Sequence, residues 1–235
     1  MKKRKHGSGG FSLVELLIGT ILFTVITGVA FSLLVSSLFR YQGESTVTEA
    51  FQQANVALDQ IVRDVHSAGY PPRSSFSTTV ANGDSSVYAL PFAWAPSYPA
   101  TPCTVATVGT VGTCTIPGEY DLILETDLGN GVQWIRYSLV GTTLMRGTAA
   151  KKPFKDPVAA TSGDSLVPYL ENVMNGSDSL PVFTYTVDPL TTGTASDIRQ
   201  VNVSLIVRSL QPDPQTKQFR TVTLTGQAVR FNPNQ

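Results

Sequence analysis

Histidine and cysteine are nearly absent, with two of each in 235 residues. His6 lies in the first ten residues, so the body of the chain keeps only His66. That excludes an imidazole relay working near neutral pH, and a zinc-type site drawn from clustered His and Cys. There is no Walker-type phosphate loop, no HExxH and no GxSxG. No Ser–Lys pair or pair of carboxylates is spaced to suggest catalysis. The expectation is a non-enzymatic chain without cofactor or metal. Charge is scarce as well: only 14% of residues, with 17 basic and 17 acidic. Lys2, Lys3, Arg4 and Lys5 stand together at the front, which leaves 13 basic against 17 acidic residues behind them. Binding to nucleic acid needs a basic face, so no nucleic-acid partner is expected.

What the chain does have is one long apolar run. From Phe11 to Phe39, 29 residues carry a single charge, Glu15. An apolar helix of about 20 residues spans the roughly 30 Å hydrocarbon core of a bilayer. The basic cluster before the run orients it with the N-terminus cytoplasmic. Glu15 is the oddity, because a carboxylate in a membrane segment costs a few kcal/mol on insertion scales and calls for a partner. A secretory signal peptide has a shorter apolar run, of about 7–15 residues, and a small-residue cleavage site after it; here Arg40-Tyr41-Gln42 follows. A plain signal anchor accounts for the length and the basic flank, but for neither Gly10-Phe11 nor Glu15.

The third explanation accounts for all of these. Lys-Lys-Arg-Lys-His-Gly-Ser-Gly-Gly10 followed by Phe11-Ser12-Leu13-Val14-Glu15-Leu16-Leu17 closely resembles the leader and cleavage site of type IV pilins and type II secretion pseudopilins. The motif combines a short basic leader, Gly before the cut, Phe after it and Glu four residues on. The resemblance implies that a prepilin peptidase cuts between Gly10 and Phe11 and N-methylates Phe11. The mature subunit then waits in the inner membrane, domain outward, until an assembly platform extracts it into a filament with other pilin subunits. Glu15 would pair there with the N-terminal amine of a neighbour, which agrees with the rule that a buried charge is tolerated when paired.

Beyond Phe39 the periodicity changes. Val47, Phe51, Ala54, Leu58, Ile61, Val62 and Val65 recur at helical spacing among polar residues, the stripe of an amphipathic helix. Gly43 is expected to weaken or bend the helix between its halves. Ala68-Gly69-Tyr70-Pro71-Pro72 ends it, with Gly suited to a left-handed C-cap. An unbroken helix over 12–68 would be about 86 Å long at 1.5 Å per residue. On this reading Leu58, Ile61 and Val65 are core, Arg63 and Asp64 a solvated face, and His66 flanks the helix end. The stretch 57–70 also resembles the helix end of PilW-type minor pilins and of the J-type pseudopilin.

The chain thus divides into a leader (1–10), an apolar helix (11–39), an amphipathic helical half (40–69), a loop-rich region (70–118) and a strand-rich region (119–235). The loop region holds a possible strand at 86–91, an aromatic cluster of Phe92, Trp94 and Tyr98 suited to core packing or to a partner, and both cysteines. In an extracytoplasmic domain Cys103 and Cys114 read as a disulfide closing a small hairpin. Strands are expected at 119–126, 132–139, 142–146, 166–173, 180–187, 198–207 and 219–225. Asp127-Leu128-Gly129-Asn130-Gly131 marks the first hairpin turn, since Asn-Gly favours positive φ. A fuller acidic turn there would bind Ca²⁺, but Asp127 and Asn130, with Glu125 just before them, favour a simple hairpin. Lys151 to Gly163 reads as a polar link. One antiparallel sheet of about four to seven strands, covered by the amphipathic half of the helix, makes the fold α+β.

Overall fold

The computed structural model describes residues 12–107, 110–153 and 155–231. A single helix, α1 (Leu13–Ser67), carries both the apolar and the amphipathic segments over 55 residues, about 82 Å at 1.5 Å per residue. Its first half stands clear of the domain, with Leu13, Phe23, Phe31 and Leu33 each more than 60% exposed. Two threonines in that half bond back to the helix: the Thr20 hydroxyl donates to the Leu17 carbonyl at 2.9 Å and the Thr24 hydroxyl to the Thr20 carbonyl at 2.8 Å. Such back-bonding leaves no hydroxyl proton seeking a partner in an apolar surrounding.

The second half is seated on the sheets. Ala50, Ala54, Ala57, Leu58, Ile61 and Val65 are buried. Gly43 does not interrupt the helix; it is buried, and a Cβ there would lie 3.4 Å from the Asp213 carboxylate. The glycine is where loop and helix approach. After Ala68, Gly69 takes φ +82° and the chain joins the sheet: Gly69 N–H donates to the Glu125 carbonyl and Asp127 N–H to the Tyr70 carbonyl, both at 2.8 Å.

Among the described residues, two short α-helices and eight strands follow. After α2 (Thr78–Gly83) come β1 (Phe92–Ala93), β2 (Asp121–Asp127), β3 (Val132–Val140), β4 (Thr143–Ala150), α3 (Pro157–Ala160), β5 (Leu166–Leu170), β6 (Phe183–Val187), β7 (Ile198–Arg208) and β8 (Thr221–Val229). Every pairing between strands is antiparallel. The chain is therefore α+β, a long N-terminal helix on antiparallel sheets, as its sequence implies. The strands form two sheets rather than one, in the orders β1-β2-β3-β4-β5 and β6-β7-β8. What makes them nearly continuous is Asn175. Its buried amide accepts the Ile206 N–H at 2.8 Å and donates to the Ser204 carbonyl at 2.9 Å, standing in for a strand beyond the start of β6. Just before it, Met174 N–H donates to the Ile206 carbonyl and Arg208 N–H to the Asn172 carbonyl.

Three local expectations are corrected. The strand expected at 86–91 forms at β1, because the residues that pair with β2 are Phe92 and Ala93, opposite Leu124 and Ile123. The link from Lys151 is not wholly polar surface, since Lys151 is buried and α3 interrupts the rest. Asp64 is not on a solvated face; it is 3% exposed, whereas Arg63 is exposed.

The helix lies close to β8 because β8 offers no side chain at the crossing. A Cβ on Gly226 would lie 2.9 Å from Leu58 Cδ1 and 3.2 Å from its Cγ. Gly226→Val should destabilise the domain by about 1–3 kcal/mol through overpacking. Adding Leu58→Ala should recover part of that loss, because contacting sites couple. Urea unfolding of the four variants measures this, and strict additivity would contradict the close approach.

Candidate functional site

The feature that sets this molecule apart is the free half of α1, a shaft of about 27 residues from Leu13 to Phe39 with one charge. Its mean hydropathy reaches 2.3 over an 18-residue window, none of it buried against the domain, so the helix is long and apolar enough to cross a membrane. Glu15 sits in its first turn, exposed, with no ion pair among the described residues. Its position at the helix N-terminus favours a negative charge. Gly10 and Phe11 lie outside the described residues.

The base of this shaft is fixed by one buried polar cluster, and a second braces the sheet that carries it. The first joins α1 to the sheet. Tyr137 on β3 donates its hydroxyl to Asp64 Oδ2 at 2.6 Å; Arg146 on β4 donates to the same oxygen at 3.0 Å and, through Nε, to the Tyr137 oxygen at 3.0 Å. Gln60, one helical turn back, donates to Asp64 Oδ1 at 2.7 Å. Tyr137 and Arg146 are cross-strand neighbours, so the β3–β4 register places both beneath Asp64. Burial first, then the Asp64 charge, holds the Tyr137 hydroxyl well above its ordinary pKa, which keeps it a donor.

The second cluster lies on the opposite face of the five-stranded sheet. Glu125 on β2 and Lys151 after β4 pair at 2.6 Å, with side chains 0% and 1% exposed. The carboxylate also accepts the Leu90 N–H at 2.7 Å, the Trp134 indole N–H at 2.9 Å and the Tyr98 hydroxyl. The Lys151 ammonium donates to the Tyr88 carbonyl at 2.9 Å and lies 4.9 Å from the centre of the Tyr88 ring. Burial and then the neighbouring carboxylate push the Tyr98 hydroxyl upward, so it too stays protonated. The aromatic cluster belongs to this interior: Phe92 and Trp94 are buried, and Tyr98 stacks edgewise between Trp94 and Trp134.

These contacts fix the fate of the first hairpin turn. Glu125 is taken up by Lys151 and its neighbours, and Asp127 Oδ1 accepts the N–H groups of Gly129 (2.7 Å) and Gly131 (3.0 Å). The turn is closed by its own backbone, and no cluster of potential metal ligands occurs among the described residues. Cys103 and Cys114 are joined, as expected. Their loop is pinned to the segment before β7, with Val105 N–H donating to the Gly193 carbonyl and Ala195 N–H to the Cys103 carbonyl. His66 stacks on Phe231 at 4.8 Å beside the helix end.

Neither buried cluster was foreseen, yet both left a signal. Ala57, Ile61, Asp64 and Ala68 follow one another at spacings of four, three and four, so Asp64 lies on the buried stripe. Glu125 interrupts the apolar strand Leu122-Ile123-Leu124 on the face that carries Trp134 across the ladder.

Removing one partner of a buried pair strands the other. Lys151→Met should therefore cost about 3–5 kcal/mol, and Lys151→Met/Glu125→Gln should be more stable than Lys151→Met alone. Denaturant unfolding followed by Trp fluorescence reads this directly, since Trp134 touches the carboxylate. A loss of about 1 kcal/mol or less for Lys151→Met, the size seen at surface pairs, would mean that the pair is hydrated.

Compared with models of protein families, with curated proteins and with solved structures, the chain matches none.

Proposed function

We propose that the chain is a minor type IV pilin of the PilW kind, a non-enzymatic subunit that helps to initiate or cap a pilus. The observation that carries this reading is the motif at the N-terminus. A basic leader, Gly10, Phe11 and Glu15 run directly into a helix whose apolar half no part of its own domain covers. In the inner membrane that half faces lipid, with the N-terminus cytoplasmic and the β-domain on the outer side. In a filament it faces the same segment of neighbouring subunits. The partners are then other pilins, the prepilin peptidase and the inner-membrane assembly platform.

The likeness of 57–70 to the J-type pseudopilin gives the second reading, a minor subunit at the tip of a type II secretion pseudopilus. Both readings require the same processing. Recovery of the protein with sheared pili or with the secretion machinery separates them.

Mass spectrometry of protein extracted from membranes should show a chain that begins with N-methylated Phe11. Replacing Gly10 by a bulky residue should leave the uncut precursor. An intact leader in cells with active peptidase would reject the pilin reading and leave a simple membrane anchor.

Glu15→Ala should insert and be cleaved normally, because removing a carboxylate from an apolar segment lowers the insertion cost. Its share in sheared filaments should fall, since a neighbour's N-terminal amine is then unpaired, at a cost of several kcal/mol. Quantitative immunoblots of membrane and filament fractions decide it. Undiminished incorporation would mean that no neighbouring amine depends on Glu15, as at the foremost position of a tip.

A further inference from the structure

Where the apolar run of α1 ends, the loop between β7 and β8 stands beside the helix. Gly43 faces Asp213 and Pro214. A crevice of about 270 Å³ is lined by Tyr41 and Thr46 from the helix and by Gln211, Pro212 and Pro214 from the loop. The loop is braced from within. Asp213, buried, accepts the N–H groups of Gln215 (2.8 Å) and Thr216 (3.1 Å) and pairs with Arg220 at 2.5 Å. Lys217 occupies a left-handed turn position at φ +59° and is exposed. Phe219 is 46% exposed, and the Arg208 guanidinium stacks over its ring at 4.5 Å.

The level of this loop follows from the helix. Measured from Glu15, the roughly 30 Å hydrocarbon core takes up about 20 residues at 1.5 Å each, and the headgroup layer of roughly 5–7 Å beyond it reaches to about Arg40 and Tyr41. The loop meets the helix between Tyr41 and Thr46, at and just beyond that level. Its composition suits the place: exposed aromatic rings favour the headgroup zone, and Lys and Arg lay apolar stems along it while their charges stay in water. The charge is distinctive too. The loop itself carries Lys217 and Arg220 against Asp213, with Arg208 at the end of β7 stacked on Phe219, whereas the chain after the leader has 13 basic and 17 acidic residues.

We propose that the β7–β8 loop docks on anionic lipid headgroups at the membrane surface from which α1 emerges. The proposal rests on the reading that the apolar half of α1 spans a membrane. With helix and loop both held, the domain has two points of attachment to the bilayer and a fixed tilt on it. Leaving the membrane then means breaking the loop contact as well as withdrawing the helix.

The test uses the full chain reconstituted in vesicles of phosphatidylcholine, with or without phosphatidylglycerol. A fluorophore is placed on Gln215→Cys and read against a headgroup nitroxide lipid. In a second preparation it is placed on Leu22→Cys and read against a mid-chain nitroxide lipid. Quenching of the loop label should be roughly twofold stronger with phosphatidylglycerol at low salt, because surface attraction of Lys and Arg is screened beyond a Debye length. Lys217→Glu should abolish that excess and leave the Leu22 label unchanged. If the Leu22 label is quenched in both vesicles but the loop label gains nothing from phosphatidylglycerol, lipid docking is overturned and the spanning helix stands. If the Leu22 label is unquenched, the spanning reading falls and the proposal falls with it.

Discussion

The seat of α1 on β8 is the contact on which the rest of the structure depends. A helix whose first half is apolar all round can belong to a folded, soluble-faced domain only if its second half is gripped firmly. The grip is made with small residues: Ala50, Ala54 and Ala57 on the helix and Gly226 on the strand bring the backbones together, and Leu58 fills the space that Gly226 leaves. Close approach of this sort gains dispersion over a long line of contact. It also limits the wedge of water-accessible space that larger side chains would prop open.

Apolar packing alone would let the helix slide or rotate by a residue, since one alanine resembles the next. The polar clusters remove that freedom. Asp64 has partners only where Tyr137 and Arg146 stand together, and Gln60 holds its other oxygen. On the far face, Glu125 gathers Leu90, Tyr98, Trp134 and Lys151 from segments that are distant in the chain. A buried carboxylate with several fixed donors tolerates no alternative register, because each misplacement strands a charge or a donor. The two clusters act on opposite faces of one sheet and together define which way the helix and the loop region must lie.

Much of this architecture was legible in the sequence. The change from an unbroken apolar run to a helical stripe marked the two halves of α1, and alternation with turn residues placed most strands of the β-domain within a few positions. Long periodic segments carry that information locally. The misses have a common origin in long-range pairing. Whether residues 86–91 or Phe92 and Ala93 make the edge strand depends on where β2 can accept a partner, and the division into two sheets depends on where β6 begins, beside Asn175. Asp64 reads as polar surface because a lone charged residue is usually solvated, and Glu125 reads as a neighbour of the hairpin turn; their positions on buried stripes were the stronger signal. Of the candidate site residues, Glu15 and the Cys103–Cys114 link are found in the fold, while Gly10 and Phe11 lie outside the described residues.

The continuity of α1 has a mechanical consequence. The contacts between helix and domain run from Gly43 to Ala68, about 38 Å at 1.5 Å per residue, and they lie alongside the helix axis rather than across it. A pull applied at the free end of the shaft is therefore shared among many contacts in shear, instead of peeling them away one after another. Asp64 lies near the far end of that line, where it opposes sliding through directed hydrogen bonds rather than through shape. The seat therefore resists a pull along the helix axis better than one directed across it.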